Sequence, residues 1–238
     1  MKFRPGFVPT LVMLVFVALL LLLGLWQLSR EQQKQQQEVE YVRGSKQTVV
    51  KIDSTVSSLE NFLYRPVTVR GTYDQERQFL LDNRTYKGVE GYFVLTPLML
   101  TENRGILVNR GWIPSGATRD DLPDLSIGTA SGRVKGHVAR APRVFLLGVD
   151  GYQNKAWPLV VQSVDYDAMS RHLSVSLLPG IVNLDNSEPN GYVRDWLPFV
   201  GISPQKHRAY AVQWFSMALV LIILYVFFGF SRRIMDKK

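Results

Sequence analysis

Close to the C-terminal end of the chain, Lys206-His207-Arg208-Ala209-Tyr210-Ala211-Val212-Gln213-Trp214-Phe215 holds the histidine whose setting most suggests chemistry. At about 100° per residue, His207, Ala211, Trp214 and Ala218 fall on one helical face with Tyr210 alongside. Small alanines leave room there beside an imidazole and an aromatic ring. That shape suits a flat, amphiphilic ligand such as a haem, with the imidazole as axial iron ligand. The same spacing also fits an interfacial histidine exposed to water or packed on a neighbouring domain, and spacing alone does not choose. The other histidines read as structural: His137 sits in a strand-like run, and His172 lies near the end of a short helix, where an imidazolium favours the negative end of the dipole.

Other constellations are sparse. The sequence has no phosphate-cradling glycine loop, no nucleophile elbow, and no His-Glu-x-x-His or cysteine-based metal spacing. Copper handling usually calls for soft Cys or clustered Met ligands, whereas Cys is absent and Met99 and Met169 stand far apart. Asn83-Arg84-Thr85 matches a glycosylation sequon that a bacterial location makes coincidental. Leu81-Asp82-Asn83-Arg84 is echoed by Leu107-Val108-Asn109-Arg110. Two strand ends meeting in similar Asn-Arg turns, with each Arg reaching a carboxylate, would account for the echo; a guanidinium pair gripping a partner's carboxylates is the functional alternative.

The elements that must position His207 begin with two uninterrupted apolar stretches, Val8 to Leu28 and Ala209 to Phe230, neither of which carries a charge. A helix needs roughly 20 apolar residues to cross a hydrocarbon core of about 30 Å. Two isolated segments cannot close a barrel, so both read as spanning helices. Trp26 and Arg30 close the first, and Tyr210 and Trp214 open the second, as interfacial residues do. The first run exceeds the roughly 7–15 residues of a signal-peptide core, and Leu28-Ser29-Arg30 is no cleavage site.

Charge sets the orientation. Lys2 and Arg4 precede the first span, and Arg232, Arg233, Lys237 and Lys238 follow the second, which places both termini in the cytoplasm. These six and Arg30 account for much of the +8 net charge; Glu31 to Ala209 holds 21 basic against 19 acidic residues, so the high pI gives little support to nucleic-acid binding. The expected organisation is a cytoplasmic N-terminus over 1–7, spans over 8–28 and 209–230, a periplasmic domain over 29–208 and a basic cytoplasmic tail over 231–238. With no presequence of the imported-organelle type, the expected compartment is a bacterial inner membrane. A cysteine-free exported domain must rely on its hydrophobic core.

After the first span, the Gln-rich run Glu31 to Glu38 reads as a helical continuation serving as a solvated spacer. Short β-like segments follow at Pro66 to Gly71, Gln78 to Asp82, Gly91 to Thr96, Gly105 to Asn109, Gly132 to Val138 and Leu159 to Gln162. Their close spacing predicts antiparallel meanders. Helices are predicted over Ser54 to Phe62 and Asp165 to His172, the latter capped by Ser163 or Asp165. Pro114 to Gly132 reads as a surface loop. The expected fold class is a membrane protein in which two helices flank one mainly-β (α+β) antiparallel domain, with a barrel as one arrangement.

Five ordered motifs resemble the Surfeit locus protein family, the membrane assembly factors of cytochrome c oxidase. They are Gly24 to Arg30, Asn61 to Val67, Leu81 to Arg84 continuing to Gly91 to Leu98, Val108 to Pro114, and His207 to Phe215. The resemblance implies a bacterial chaperone and carrier with no reaction of its own, which binds haem a transiently and assists its insertion into the oxidase core subunit. His207 matches the family's His-x-x-Tyr motif, which makes it the expected axial ligand of the haem iron, with Tyr210 in the same motif. Trp26 and Trp214 could flank the macrocycle, and Arg30 and Arg208 could meet its propionates. Expected partners are the core subunit, haem a synthesis enzymes and membrane lipid, with no nucleic acid. The alternatives are a scaffold that stabilises an oxidase assembly intermediate without haem and, further off, a membrane-anchored periplasmic enzyme.

The charge pattern yields a topology test. Reporter fusions after Lys238 and within Pro114 to Gly132 should give opposite compartment readings, the first cytoplasmic and the second periplasmic.

Overall fold

The computed structural model describes residues 6–116, 124–128, 130–142, 152, 156–196 and 201–231. In chain order the elements are α1 (Phe7–Ser45), β1 (Val50–Ile52), a 3-10 turn (Leu59–Phe62), β2 (Pro66–Tyr73), β3 (Phe79–Tyr86), β4 (Val89–Thr101), β5 (Arg104–Pro114), β6 (Ser131–Ala139), β7 (Leu159–Val161), α2 (Tyr166–Leu173), β8 (Ser176–Leu184) and α3 (Pro204–Ser231). They fall into two compact units: one contains Met1–Val39 and Leu197–Lys238, the other Glu40–Trp196. Two long apolar helices at the ends of the chain thus flank a mainly-sheet domain.

The domain is one eight-stranded sheet in the order β1-β2-β6-β8-β5-β4-β3-β7. An additional pairing of β2 with β4 through Thr72↔Met99 and Tyr73↔Leu98 makes β2, β6, β8, β5 and β4 a closed circuit of hydrogen-bonded neighbours. Side-chain alternation along β5 shows why this strand is apolar almost throughout. Ile106 and Val108 join Val67, Val69, Val134, Val138 and Val182 in one cluster, while Leu107 points the other way to Leu81, Leu95, Met169, Leu173 and Ile181. A strand buried on both faces cannot show the polar half of the alternation.

Several expectations are corrected. The sheet is mixed, because β1 pairs parallel with β2, β3 with β7, and β5 with β8. Strand β8 escapes sequence reading because Pro179-Gly180 looks like a breaker. It lies at a register shift against β5, where Gly180 has φ +112°, so the break is a bulge inside a strand. The helix expected over Ser54 to Phe62 is only the 3-10 turn: the Asp53 carboxylate accepts from the Thr55 amide at 2.9 Å and its hydroxyl at 2.6 Å, a local turn that competes with helix. Helix α2 forms where expected, with the Asp165 side chain accepting from the Asp167 and Ala168 amides. The His172 Nδ1 donates to the Ala168 carbonyl at 3.0 Å.

The Gln-rich run is helical, and α1 continues to Ser45, where its last turns pack on the domain. Tyr41 meets the rings of Tyr64 and His137 edge-on at 5.5 and 5.9 Å, and the His137 ring in turn lies 6.1 Å from Trp196. Burial holds the His137 imidazole below its usual range, with Asp185 pulling weakly the other way.

The Asn-Arg echo has a structural basis other than the expected strand-end turns. Leu81↔Phe93 and Arg84↔Gly91 leave one extra residue in β3, with Asn83 at φ 59°; Phe93↔Trp112 and Leu95↔Asn109 leave one extra in β5, with Gly111 at φ 116°. Both copies are therefore bulges flanking β4. Arg110, at 1% exposure, reaches no carboxylate among the described residues. Its Nε donates to the Asn190 carbonyl at 2.6 Å, Nη1 to Gln78 Oε1 and the Leu125 carbonyl at 3.0 Å each, and Nη2 to the Ser126 carbonyl at 3.2 Å. Residues 117–123 and 129 of the expected surface loop lie outside the described residues, but Leu125 and Ile127 are core, pinned by this guanidinium.

Removing the Arg110 guanidinium would take a donor from four acceptors at once. Arg110→Met should cost about 3–5 kcal/mol in denaturant unfolding of the detergent-purified protein, while the exposed Arg70→Met stays within about 0.5 kcal/mol.

Candidate functional site

His207 stands at the first turns of α3, and the unit that contains it is a helix pair. The buried and half-buried positions of α3 include Pro204, His207, Ala211, Trp214, Ala218, Leu221 and Tyr225; those of α1 include Thr10, Met13, Val17, Leu20, Gly24, Gln27 and Glu31. Both series alternate steps of three and four, the period of a coiled-coil seam. Three contacts fix the direction. Thr10 Oγ1 lies 2.6 Å from Tyr225 Oη, Gly24 faces the Phe215 ring, and Gln27 Oε1 lies 2.7 Å from His207 Nδ1. As the α1 number rises the α3 number falls, so the helices run antiparallel.

The face read from the sequence exists, and its alanines have a different use. Ala211 and Ala218 are 1% and 2% exposed, closed by α1 and not facing an open cleft. A Cβ on Gly24 would strike the Phe215 ring, so this glycine makes room for that ring in the seam. His207 is buried at 7% exposure and Trp214, two turns further along the same face, is half-buried, while Tyr210 is outward at 43%.

The remaining site residues are not gathered around the imidazole. Trp26 is half-exposed, one position off the seam, and the Arg30 guanidinium lies over its ring at 5.6 Å while donating to Gln33 Oε1 at 3.0 Å. Arg208 is exposed on α3. What sequence reading missed is Gln27, whose signal is a lone amide at the end of an apolar run, on the same heptad stripe as Gly24. A carboxamide oxygen only accepts, so His207 Nδ1 carries the shared hydrogen, and in the neutral imidazole Nε2 is then the nitrogen with the lone pair. Nε2 has no hydrogen-bond partner among the described residues. A nitrogen base of this kind fits a ligand to haem iron; Tyr210 stands one turn along α3 and Trp214 two turns. Among the described residues no three His, Cys, Asp or Glu side chains cluster to hold a bare metal ion.

Two apolar helices of membrane-crossing length, a mixed-sheet domain between them and an oriented histidine in the helix seam describe a class of protein compatible with membrane anchoring. The SURF1 family profile matches residues 14–219, and the chain belongs to that family. It is 26% identical over 236 residues to a SURF1-like protein of Rickettsia felis, covering 92% of this chain and 95% of that one. A SURF1-like protein of Rickettsia prowazekii is 24% identical over 242 residues, covering 94% and 90%. A Surfeit locus protein 1-like protein of Arabidopsis thaliana is 28% identical over 178 residues, covering 63% of this chain and 44% of its own.

Because the chain has no cysteine, the seam can be tested by introduced pairs. Gly24→Cys with Phe215→Cys should oxidise to an intramolecular disulfide that shifts electrophoretic mobility. Leu22→Cys with Phe215→Cys, in which Leu22 is 64% exposed, should not.

Proposed function

We propose that this protein is an assembly factor for haem-copper cytochrome c oxidase that binds haem a and assists its insertion into the core subunit. In this reading α1 and α3 cross a bacterial inner membrane with both termini cytoplasmic, and the sheet domain lies in the periplasm. Family membership supports the assembly role. The observation that carries the haem reading is the His207 imidazole, held by Gln27 with Nε2 unpartnered.

The residues divide the work by chemistry. His207 Nε2 would hold the haem iron, and Trp214 and Tyr210 would offer ring surface on the same side of α3. Because Ala211 and Ala218 are already buried in the seam, the room for a macrocycle would be on the outer surface of the pair and not between the helices. Arg208, and Arg30 on its Trp26 ring, present cations to the propionates, while the farnesyl tail of haem a favours hydrocarbon. A single imidazole would hold the cargo reversibly, as handing it to the core subunit requires. Haem a synthesis enzymes would supply it. The protein performs no covalent step on its cargo.

A scaffold that holds an oxidase intermediate without haem is favoured by one observation, the closure of the alanine seam that sequence reading left open for a ligand. Co-expression with haem a synthesis enzymes separates the two readings. The purified wild-type protein should carry a haem a absorption band, and His207→Ala should lose it while staying in the membrane, since alanine suits a helix. Equal spectra and affinity in both proteins would remove His207 from the site.

A further inference from the structure

We propose that Gln27 is a positioning residue that fixes the tautomer and ring orientation of His207, so that Nε2 is permanently offered as a ligand. The proposal rests on the carrier reading above for its use, but the hydrogen bond it invokes is a property of this chain.

Four observations carry it. The Gln27 Oε1 to His207 Nδ1 distance is 2.7 Å, a short bond between side chains 180 positions apart. Both residues lie on the heptad seams of their helices, so the imidazole is gripped from α1 and cannot swing freely about its own helix. His207 is 7% exposed, which leaves water little access to compete for Nδ1. The next polar side chain along the α1 seam, Glu31, accepts from Gln35 Nε2 at 3.1 Å and is not bonded to the imidazole.

An acceptor on one ring nitrogen decides which nitrogen keeps its lone pair, and it raises the basicity of that nitrogen toward a metal. A neutral amide does this without adding charge to a helix end. The amide therefore acts as a latch that holds the ligand ready while leaving the iron bond breakable.

The test uses the full-length protein in detergent, with 15N-labelled histidine and His207 signals assigned by difference from His207→Ala. Without haem, the wild-type imidazole should show the Nδ1-protonated tautomer. Gln27→Met, similar in shape but without an acceptor, should lose that signature, and Gln27→Glu should keep it. With haem a supplied, Gln27→Met should bind at least about tenfold more weakly and with an altered spectrum. Gln27→Glu should restore affinity and move the haem reduction potential to a more negative value, since a carboxylate draws harder on the Nδ1 proton. Disulfide formation between cysteines introduced at positions 24 and 215 in each background reports whether the helix pair is intact; a Gln27→Met protein that still forms it gives a fair comparison, and Gln27→Glu supplies the comparison if it does not. An unchanged tautomer and unchanged haem affinity in Gln27→Met would overturn the positioning role while leaving the carrier reading in place. A wild-type protein with the expected tautomer but no haem band would overturn the carrier reading, and the imidazole signals alone would then decide whether Gln27 sets the ring.

Discussion

Two helices as apolar as α1 and α3 would have no hydrophobic reason to pair in hydrocarbon, because lipid tails serve their leucines as well as a partner helix does. Their association must come from side-chain packing and from polar groups that lack an alternative in lipid. Gly24 makes room for the Phe215 ring, Ala211 and Ala218 are buried in the seam, and the Thr10–Tyr225 and Gln27–His207 bonds supply the polar contacts near its two ends. The histidine that looks like a ligand is thus also part of what holds the pair together. A single contact joins anchoring, helix register and the candidate chemistry, so a shift of register would disturb all three.

The sheet domain solves a different problem, that of a core built without disulfides. Its answer is a circuit of strands buried on the inside and largely covered outside, with α2 closing part of the outer face through Ala168, Met169 and Leu173. The cost falls on Arg110. Burial makes its charged form less favourable than in water, and the offset comes from four acceptors and from the Tyr192 ring 4.8 Å away. Nearby, burial pushes the Tyr73 phenol up to about 12, so it stays neutral beside that cation. The guanidinium organises segments from three parts of the chain, at Gln78, Leu125–Ser126 and Asn190, which no apolar side chain could do with one group.

These two halves divide the proposed labour. The helix pair would hold the cofactor where its apolar tail and charged edge both find suitable surroundings. The domain presents a half-buried row of rings, Tyr64, Tyr41, His137, Trp196 and Phe93, each 5.5–6.1 Å from the next.

Composition alone determined the two long helices, because an uncharged run of that length has few other fates. Local pattern also sufficed for six strand positions and for α2, whose Asp165 cap is a contact within three residues of sequence. The helical face shared by His207, Ala211, Trp214 and Ala218 follows from periodicity and is present in the structure. Other features depended on distant partners. Strand β8 hid behind Pro179-Gly180 because a bulge is defined by the neighbouring strand, and the parallel pairings by crossovers that propensity does not encode. The acceptors of Arg110 are mostly backbone carbonyls, which every residue has and no motif marks. The alanines looked like room for a ligand until α1 filled it, and Gln27 became meaningful only when antiparallel packing carried it 180 positions along the chain to the ring of His207. Sequence determined which residues could do chemistry, and tertiary structure decided which nitrogen would be free to do it, since that depends on the hydrogen bond made to the other one.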